Sequence, residues 1–383
     1  MRAMRATVAK IYTENLRHNI REIWKRVSPR TKLCVAVKAD AYGHGAVKCA
    51  EIALEQGAEF LAVAAVSEGA ELRAAGIAAP VLLLSLCHPD EMDELVANDL
   101  TPLVGDADYA GVVARAVRRA GKMSYPVHLA VDTGMGRIGC YPREAAALAR
   151  EIVATDALAL GGMCTHFAVS DSPSAADKSY TDVQFARFSQ AVASVRAEGI
   201  DPGICHCCNS AATLERPEFH GDMVRPGIIV YGYYPDGKPR SYYTGIGRDI
   251  DLRPVMALAT SVVAVRPLEK GMSVSYGRTW TAERDTTLGV LPVGYADGLF
   301  RRFASVMRVG VNGASYPIRG RICMDQCMVD FGTDTVERWS EAVLFGPKES
   351  GAVQSAQELA DATGTISYEI TSAITKRVPR LYL

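Results

Sequence analysis

Over the first 230 residues the hydrophobic positions keep a steady beat: a short apolar run, a turn, a segment with helical spacing, then another apolar run. The chain opens with a strand-like stretch at 7–12, followed by a helix that places Leu16, Ile20, Ile23, Trp24 and Val27 on one stripe. Strand-like runs then recur at 32–38, 59–66, 80–86, 100–104, 125–132, 158–167, 204–209 and 223–231. Helical spacing fills 47–55, 68–75, 89–97, 109–120, 143–153 and 180–198. This alternation predicts an α/β chain with an N-terminal (β/α)8 TIM-type barrel over 13–240, in preference to a doubly wound open sheet. Past residue 240 the beat stops. Residues 241–252 are polar and turn-rich, as in a linker. Short β-type runs follow at 255–265, 287–292, 308–311, 316–318, 327–331 and 342–345, with one helical segment at 356–362. They predict a mostly-β C-terminal domain over 241–383, and residues 1–12 are expected to add their strand to it. No internal repeat or low-complexity tract is visible.

Composition narrows the function classes. The 383 residues are 49% apolar and 22% charged with a net charge of −1, which gives no reason to expect a nucleic-acid or anionic-membrane partner. Neither a signal-peptide core nor an apolar run long enough to span a bilayer is present, so a cytoplasmic location is expected. Most of the ten cysteines, such as Cys34, Cys164, Cys205 and Cys327, sit in apolar runs where a free thiol acts as a small hydrophobe. The cluster Cys205-His206-Cys207-Cys208 has the wrong spacing for a zinc knuckle and no matching second pair, so no metal is expected.

The chemistry gathers at the predicted C-terminal ends of the barrel strands, the rim where such barrels work. Lys38 ends the first run of the beat where a glycine-containing turn begins. A desolvated amine there has a depressed pKa and can act as nucleophile or base, although a lone lysine more often caps a strand and reaches to water. Asp132 with Arg137, His166, Asn209 with Ser210, and Arg225 fall at other strand ends. Gly134-Met-Gly136-Arg-Ile-Gly139 matches a dinucleotide-binding spacing, but it follows the fifth strand and the next helix starts only after Pro142. It reads instead as a tight loop that aims Arg137 across the barrel mouth.

The run Ala36-Val-Lys38-Ala-Asp40-Ala-Tyr42-Gly-His44-Gly45 resembles the cofactor-lysine motif of the bacterial alanine racemases. The likeness continues, in the family's order, through Asp132–Arg137, Thr165-His166-Phe167-Ala168, Asn209-Ser210-Ala211 and Val224-Arg225-Pro226-Gly227-Ile228. It extends into the second half at Val274-Ser-Tyr276-Gly277, Val293-Gly-Tyr295-Ala-Asp297-Gly298 and Arg321-Ile-Cys-Met324-Asp325. The resemblance implies interconversion of L- and D-alanine for cell-wall peptidoglycan, with pyridoxal 5'-phosphate held as an imine on Lys38. It also implies a head-to-tail homodimer in which Tyr276 is the second base, reaching in from the other subunit. Carried over residue by residue, Arg225 faces the pyridine nitrogen with His166 behind it. Tyr42, Ser210, Gly227, Ile228 and Tyr368 hold the phosphate, while Arg137 and the Met324 amide bind the substrate carboxylate region.

These roles make chemical sense. Racemisation takes a proton from one face of the α-carbon and returns one to the other, which two bases on opposite faces can do and a single base does poorly. A cation such as Arg137 favours the ionised form of a nearby phenol. Arginine at the ring nitrogen cannot surrender its proton, so the nitrogen stays largely neutral and side reactions are suppressed. Two residues before Asp132, many family members carry a carbamylated lysine that orients the arginine matching Arg137, whereas this chain has Ala130. A chloride ion, an ordered water or a looser Arg137 is expected there. The rival readings are a racemase acting on serine as well as alanine, a decarboxylase on the same scaffold, and a non-catalytic carrier of the cofactor.

Overall fold

The structure is a computed structural model that describes residues 5–235 and 238–383. After β1 (Val8–Ile11) and a helix at Thr13–Trp24, eight short strands follow: β2 (Lys32–Ala36), β3 (Phe60–Val63), β4 (Val81–Leu83), β5 (Leu100–Val104), β6 (Tyr125–Ala130), β7 (Leu158–Cys164), β8 (Ile204–His206) and β9 (Met223–Val224). All pair in parallel, in the order β8-β7-β6-β5-β4-β3-β2-β9. Between β8 and β9 the Asp222 amide donates to Cys205 O (3.0 Å) and the Arg225 amide to Cys208 O (2.9 Å), so the sheet curls into a nearly closed barrel. This is the TIM-type architecture read from the hydrophobic beat.

Period-two alternation explains why the barrel is filled. Leu33, Val35, Val37, Leu61, Val63, Val127 and Leu129 point outward and pack with the helices. Their neighbours Cys34, Ala62, Leu82, Leu103, Ala130, Cys164 and Met223 form a separate buried cluster along the barrel axis. Where sequence runs looked longer than the strands, local chemistry ends the pairing. Pro226-Gly227 stops β9 after two residues, and Ile228–Tyr231 becomes a 3-10 turn. Beyond β8, the Asn209 side chain accepts from the Ala212 amide (3.1 Å) and caps the helix Ser210–Glu215. The polar stretch after 240 is ordered rather than loose. A helix at Arg240–Gly245 buries Tyr243 completely, and Arg240 binds Asp249 and Asp251.

The second domain is built from β10 (Met256–Ser261), β11 (Ala264–Leu268), the small pair β12 (Ser273–Val274) and β13 (Trp280–Thr281), β14 (Thr286–Leu291), β15 (Arg308–Val311), β16 (Ala314–Arg319), β17 (Cys327–Gly332), β18 (Glu341–Phe345) and β19 (Arg380–Tyr382). Nine strands form one sheet in the order β11-β14-β17-β16-β15-β18-β10-β1-β19. β1 lies inside it, antiparallel to β10 and parallel to β19. Two elements carry too few residues to leave a periodic trace in the sequence: β19, and the helix Ser367–Ser372 that bears Tyr368.

One buried carboxylate ties this domain together. Asp297 has no exposed side-chain surface; it is bonded to Arg5, to Arg377 Nε (2.9 Å) and to the Gly294 amide (3.0 Å). Arg377 also reaches Asp325 (2.7 Å), beside Met324. Asp297→Ala deletes charge-assisted hydrogen bonds and leaves the Gly294 amide without its acceptor, while the partly exposed arginines can turn to water, so it should lower the unfolding free energy by about 1.5–3 kcal/mol. Chemical denaturation checks this, with Asp325→Ala, at an exposed partner, expected to change it by less than about 1 kcal/mol.

Candidate active site

Lys38 follows β2 at the barrel mouth, and what holds it there is an unusual turn. Ala39, Asp40, Ala41 and Tyr42 all take φ between +52° and +54°, a left-handed turn made of L-residues, ending at Gly43 and Gly45 with φ of +87° and +95°. Such a conformation costs about 1–2 kcal/mol per residue. It persists because hydrogen bonds from side chains and backbone hold it. The Glu68 carboxylate accepts from the Ala39 amide (2.6 Å), Asp40 accepts from the Ala46 amide (2.9 Å), and the Gly43 amide donates to Ala39 O (2.9 Å). Buried His44 sits against Ala41 O and Tyr42 O through Nδ1 (2.9 and 3.0 Å) and stacks on Tyr231.

Two adjoining cavities of about 150 and 320 Å³ share Lys38, Leu84, Met135, His166 and Arg225 in their walls. Arg137 lines the smaller one; Tyr42, Ser210, Gly227, Ile228 and Tyr368 line the larger. Nine sequence-identified residues therefore meet at one place. Arg225 is 6% exposed and is held by neutral acceptors. It donates to Thr165 O (2.8 Å), Cys207 O (3.3 Å) and His206 Nδ1 (2.5 Å), with His166 Nδ1 at 3.4 Å. A guanidinium only donates, so His206 carries its proton on Nε2 and passes a hydrogen bond to His128 Nδ1 at 2.8 Å. Burial, then Arg137, lower the Lys38 pKa; Glu68 opposes them and Arg225 adds a smaller lowering. Burial and the cations Arg225, Arg137 and Lys38 push His166 down to about 3. His128 falls to about 4 and His206 well below its ordinary value, through burial and Arg225.

His128 and His206 are neighbours of Arg225 that no motif marks, since the sequence presents His206 only inside the Cys205–Cys208 cluster. A sequence trace exists: Gly161-Gly162 in the adjacent strand leaves room for the His128 ring, whose Cε1 would lie 2.7 Å from a Cβ on Gly162.

In the larger cavity the Gly227 amide donates to Ser210 Oγ (2.8 Å), and a Cβ on Gly227 would lie 2.4 Å from the Tyr42 phenol oxygen. The Tyr42 and Tyr368 rings are 6.0 Å apart. The glycine loop after β6 is shaped by Asp132, whose Oδ1 accepts from the Gly134 and Gly136 amides (2.9 and 3.1 Å). Among the described residues no carboxylate pairs with Arg137, which is exposed, and Ala130 belongs to the apolar axis of the barrel.

Tyr276 and Met324 lie elsewhere in the chain. They line a cavity of about 700 Å³ in the β domain with Ser275 and Cys323, none of which borders the Lys38 cavities. Tyr276 is 71% and Met324 52% exposed. Ser275, at φ +66°, anchors the Tyr276 turn by donating to Arg321 O (2.6 Å).

A barrel carrying a lysine on a strained turn, a buried arginine on neutral partners and a second β domain defines a class of lysine-bearing barrel enzymes. Residues 11–235 match the alanine racemase N-terminal domain and residues 255–382 the alanine racemase C-terminal domain. The alanine racemase of Treponema denticola is 47% identical over 383 residues, covering 99% of each chain; that of Treponema pallidum is 44% identical, covering 99% of this chain and all of its own. The solved alanine racemase from Bacillus anthracis with bound L-Ala-P superposes with a TM-score of 0.92 at 32% identity, covering 100% of this chain and 96% of its own. That from Bartonella henselae, with covalently bound pyridoxal phosphate, gives 0.83 at 26%, covering 99% of each. The chain belongs to the alanine racemase family. It is an isomerase that interconverts L- and D-alanine, in a family that depends on pyridoxal phosphate; neither the wider serine range nor decarboxylation is favoured by these likenesses.

The histidines give a pH prediction. His44 and His128 are lowered to about 4, His166 to about 3, and His206 well below the ordinary 6.5, so on acidification the unfolded chain takes up protons first. Their stability contribution is complete above about pH 6.5 and is lost as pH falls toward 4. Burial lowers His220 as well, so urea unfolding of the cofactor-free protein between about pH 7 and pH 5 should show a slope approaching about four to five protons, smaller by about two in His128→Gln/His206→Gln.

Proposed function

We propose that Lys38 carries pyridoxal phosphate covalently and that each active site is completed by Tyr276 and Met324 of a second copy of the chain. The donor set suits the group. The missing side chain at Gly227 lets the Tyr42 phenol close on that backbone, and these two line the larger cavity with Ser210, Ile228 and Tyr368, so a phosphate there would meet hydroxyl and amide donors. When bound, the cofactor supplies the electron withdrawal that acidifies the α-hydrogen of an attached amino acid.

The residues of the chain do the rest. Lys38, its ammonium form disfavoured by burial and by Arg137 and Arg225, takes or returns a proton at Nζ on one face of the α-carbon. The Tyr276 phenol oxygen serves the opposite face. Arg225 presents a permanent donor to the ring nitrogen and leaves that nitrogen unprotonated, and His166 stays neutral behind it. Among the described residues no carboxylate pairs with Arg137, which leaves its charge available to the substrate carboxylate, together with the Met324 amide. The D-alanine formed would feed peptidoglycan synthesis in the cytoplasm, where ten free cysteines stay reduced.

The observation that supports sharing between subunits is the separation of Lys38 and Tyr276 into cavities with no common wall residue, although both cavities open outward. Subunit mixing tests it. Lys38→Ala should lose the visible absorbance of lysine-bound cofactor and all turnover; Tyr276→Phe should keep the absorbance and lose at least about 100-fold in rate. When the two inactive variants are unfolded together and refolded, half the dimers should be mixed, each with one intact site. About a quarter of wild-type activity should then return. No recovery in demonstrably mixed dimers would rule out the shared site.

A further inference from the structure

The last residues of the chain grip the turn behind Lys38. Arg380, at the start of β19, engages all three of its side-chain nitrogens, in four hydrogen bonds and one ion pair. Nε donates to Gly43 O (3.0 Å), and Nη1 donates to Thr375 O and Val378 O (2.8 Å each). Nη2 donates to Ile374 O (2.7 Å) and pairs with Asp40 Oδ2 (3.3 Å), with the Arg380 side chain only 9% exposed. Asp40 lies within the left-handed turn, and Gly43 closes it. The fit has no slack. A Cβ on Gly43 would lie 2.1 Å from Thr371 O, and one on Gly45 would lie 2.0 Å from the Tyr382 phenol oxygen. The turn is thus clamped between Glu68 on the barrel side and the C-terminal segment on the other.

We propose that Arg380 is a positioning residue for Lys38: by binding Asp40 and the Gly43 carbonyl at once, it keeps residues 39–42 left-handed and fixes the direction in which the Lys38 amine enters the barrel mouth. Lysine cannot replace it, because an ammonium lacks the planar fork that spans a carboxylate and four carbonyls. The inference rests on the assignment of Lys38 as the cofactor-bearing lysine.

The test uses Arg380→Ala, Arg380→Lys and Asp40→Asn as purified full-length enzymes loaded with pyridoxal phosphate. In Arg380→Ala the cofactor dissociation constant should rise on the order of tenfold or more, the loss expected from charge-assisted hydrogen bonds. The pH at which the lysine-bound cofactor absorbance titrates should move, and amide exchange should quicken over residues 38–45 in particular. Arg380→Lys should behave nearly the same, and low guanidinium concentrations should partly restore Arg380→Ala. Should Arg380→Ala fail to fold, Asp40→Asn removes the ion pair alone and must shift both the titration and the local exchange. Variants that fold with cofactor affinity within twofold of wild type and an unmoved titration would overturn the proposal. Persistence of the lysine-bound absorbance in Lys38→Ala would instead overturn the assignment of Lys38.

Discussion

A buried cation with no carboxylate partner among the described residues governs this molecule. Arg225 sits at the floor of the barrel mouth bonded to two carbonyls and a neutral imidazole, so its charge is solvated but not cancelled. Pairing with a carboxylate would have made the site locally neutral and left Lys38 and His166 closer to their ordinary protonation. Instead the positive field persists in a low-dielectric cavity and adds to burial, the larger effect, in disfavouring the charged forms of Lys38, His166, His206 and His128. The histidines in turn serve as acceptors only because they are neutral. The electrostatics and the hydrogen-bond directions are therefore one arrangement, and neither survives without the other.

Around that floor the fold spends stability on placement. The barrel interior is plugged by small and medium apolar side chains, Cys34, Ala62 and Ala130 among them, which lets polar side chains crowd the rim without leaving a channel beneath. The left-handed turn after Lys38 is intrinsically unfavourable, and it is held by contacts from both domains: Glu68 in the barrel, Arg380 on the edge strand of the β sheet. The β domain is thus more than a carrier of Tyr276 and Met324. Its terminal strand lies against the lysine turn of its own barrel, while Arg377, three residues earlier, braces the Asp297 and Asp325 loops next to Met324.

Much of this was legible in the sequence because the signals are short-range. The alternating beat gives the parallel barrel, since strand and helix periods are local properties of the chain. The motifs around Lys38, His166, Ser210 and Arg225 identified side chains that the fold brings to one cavity. Less legible were elements whose stability is not their own. The helix Ser367–Ser372 and the strand Arg380–Tyr382 are too short to show a period, and 241–252 looked like a linker because its polar residues hide one fully buried tyrosine, Tyr243.

Residue order alone determined the alternation of elements, the split into barrel and β domain, and the motifs whose side chains meet at the barrel mouth, because each is encoded within a few residues of itself. Only the tertiary structure decided that Ala39–Tyr42 turn left-handed, that His128 stands behind His206, and that Arg380 closes on Asp40 from 340 positions away. Those features depend on hydrogen bonds between groups far apart in the chain, and a bond of that kind leaves no mark on either segment until folding brings the two together.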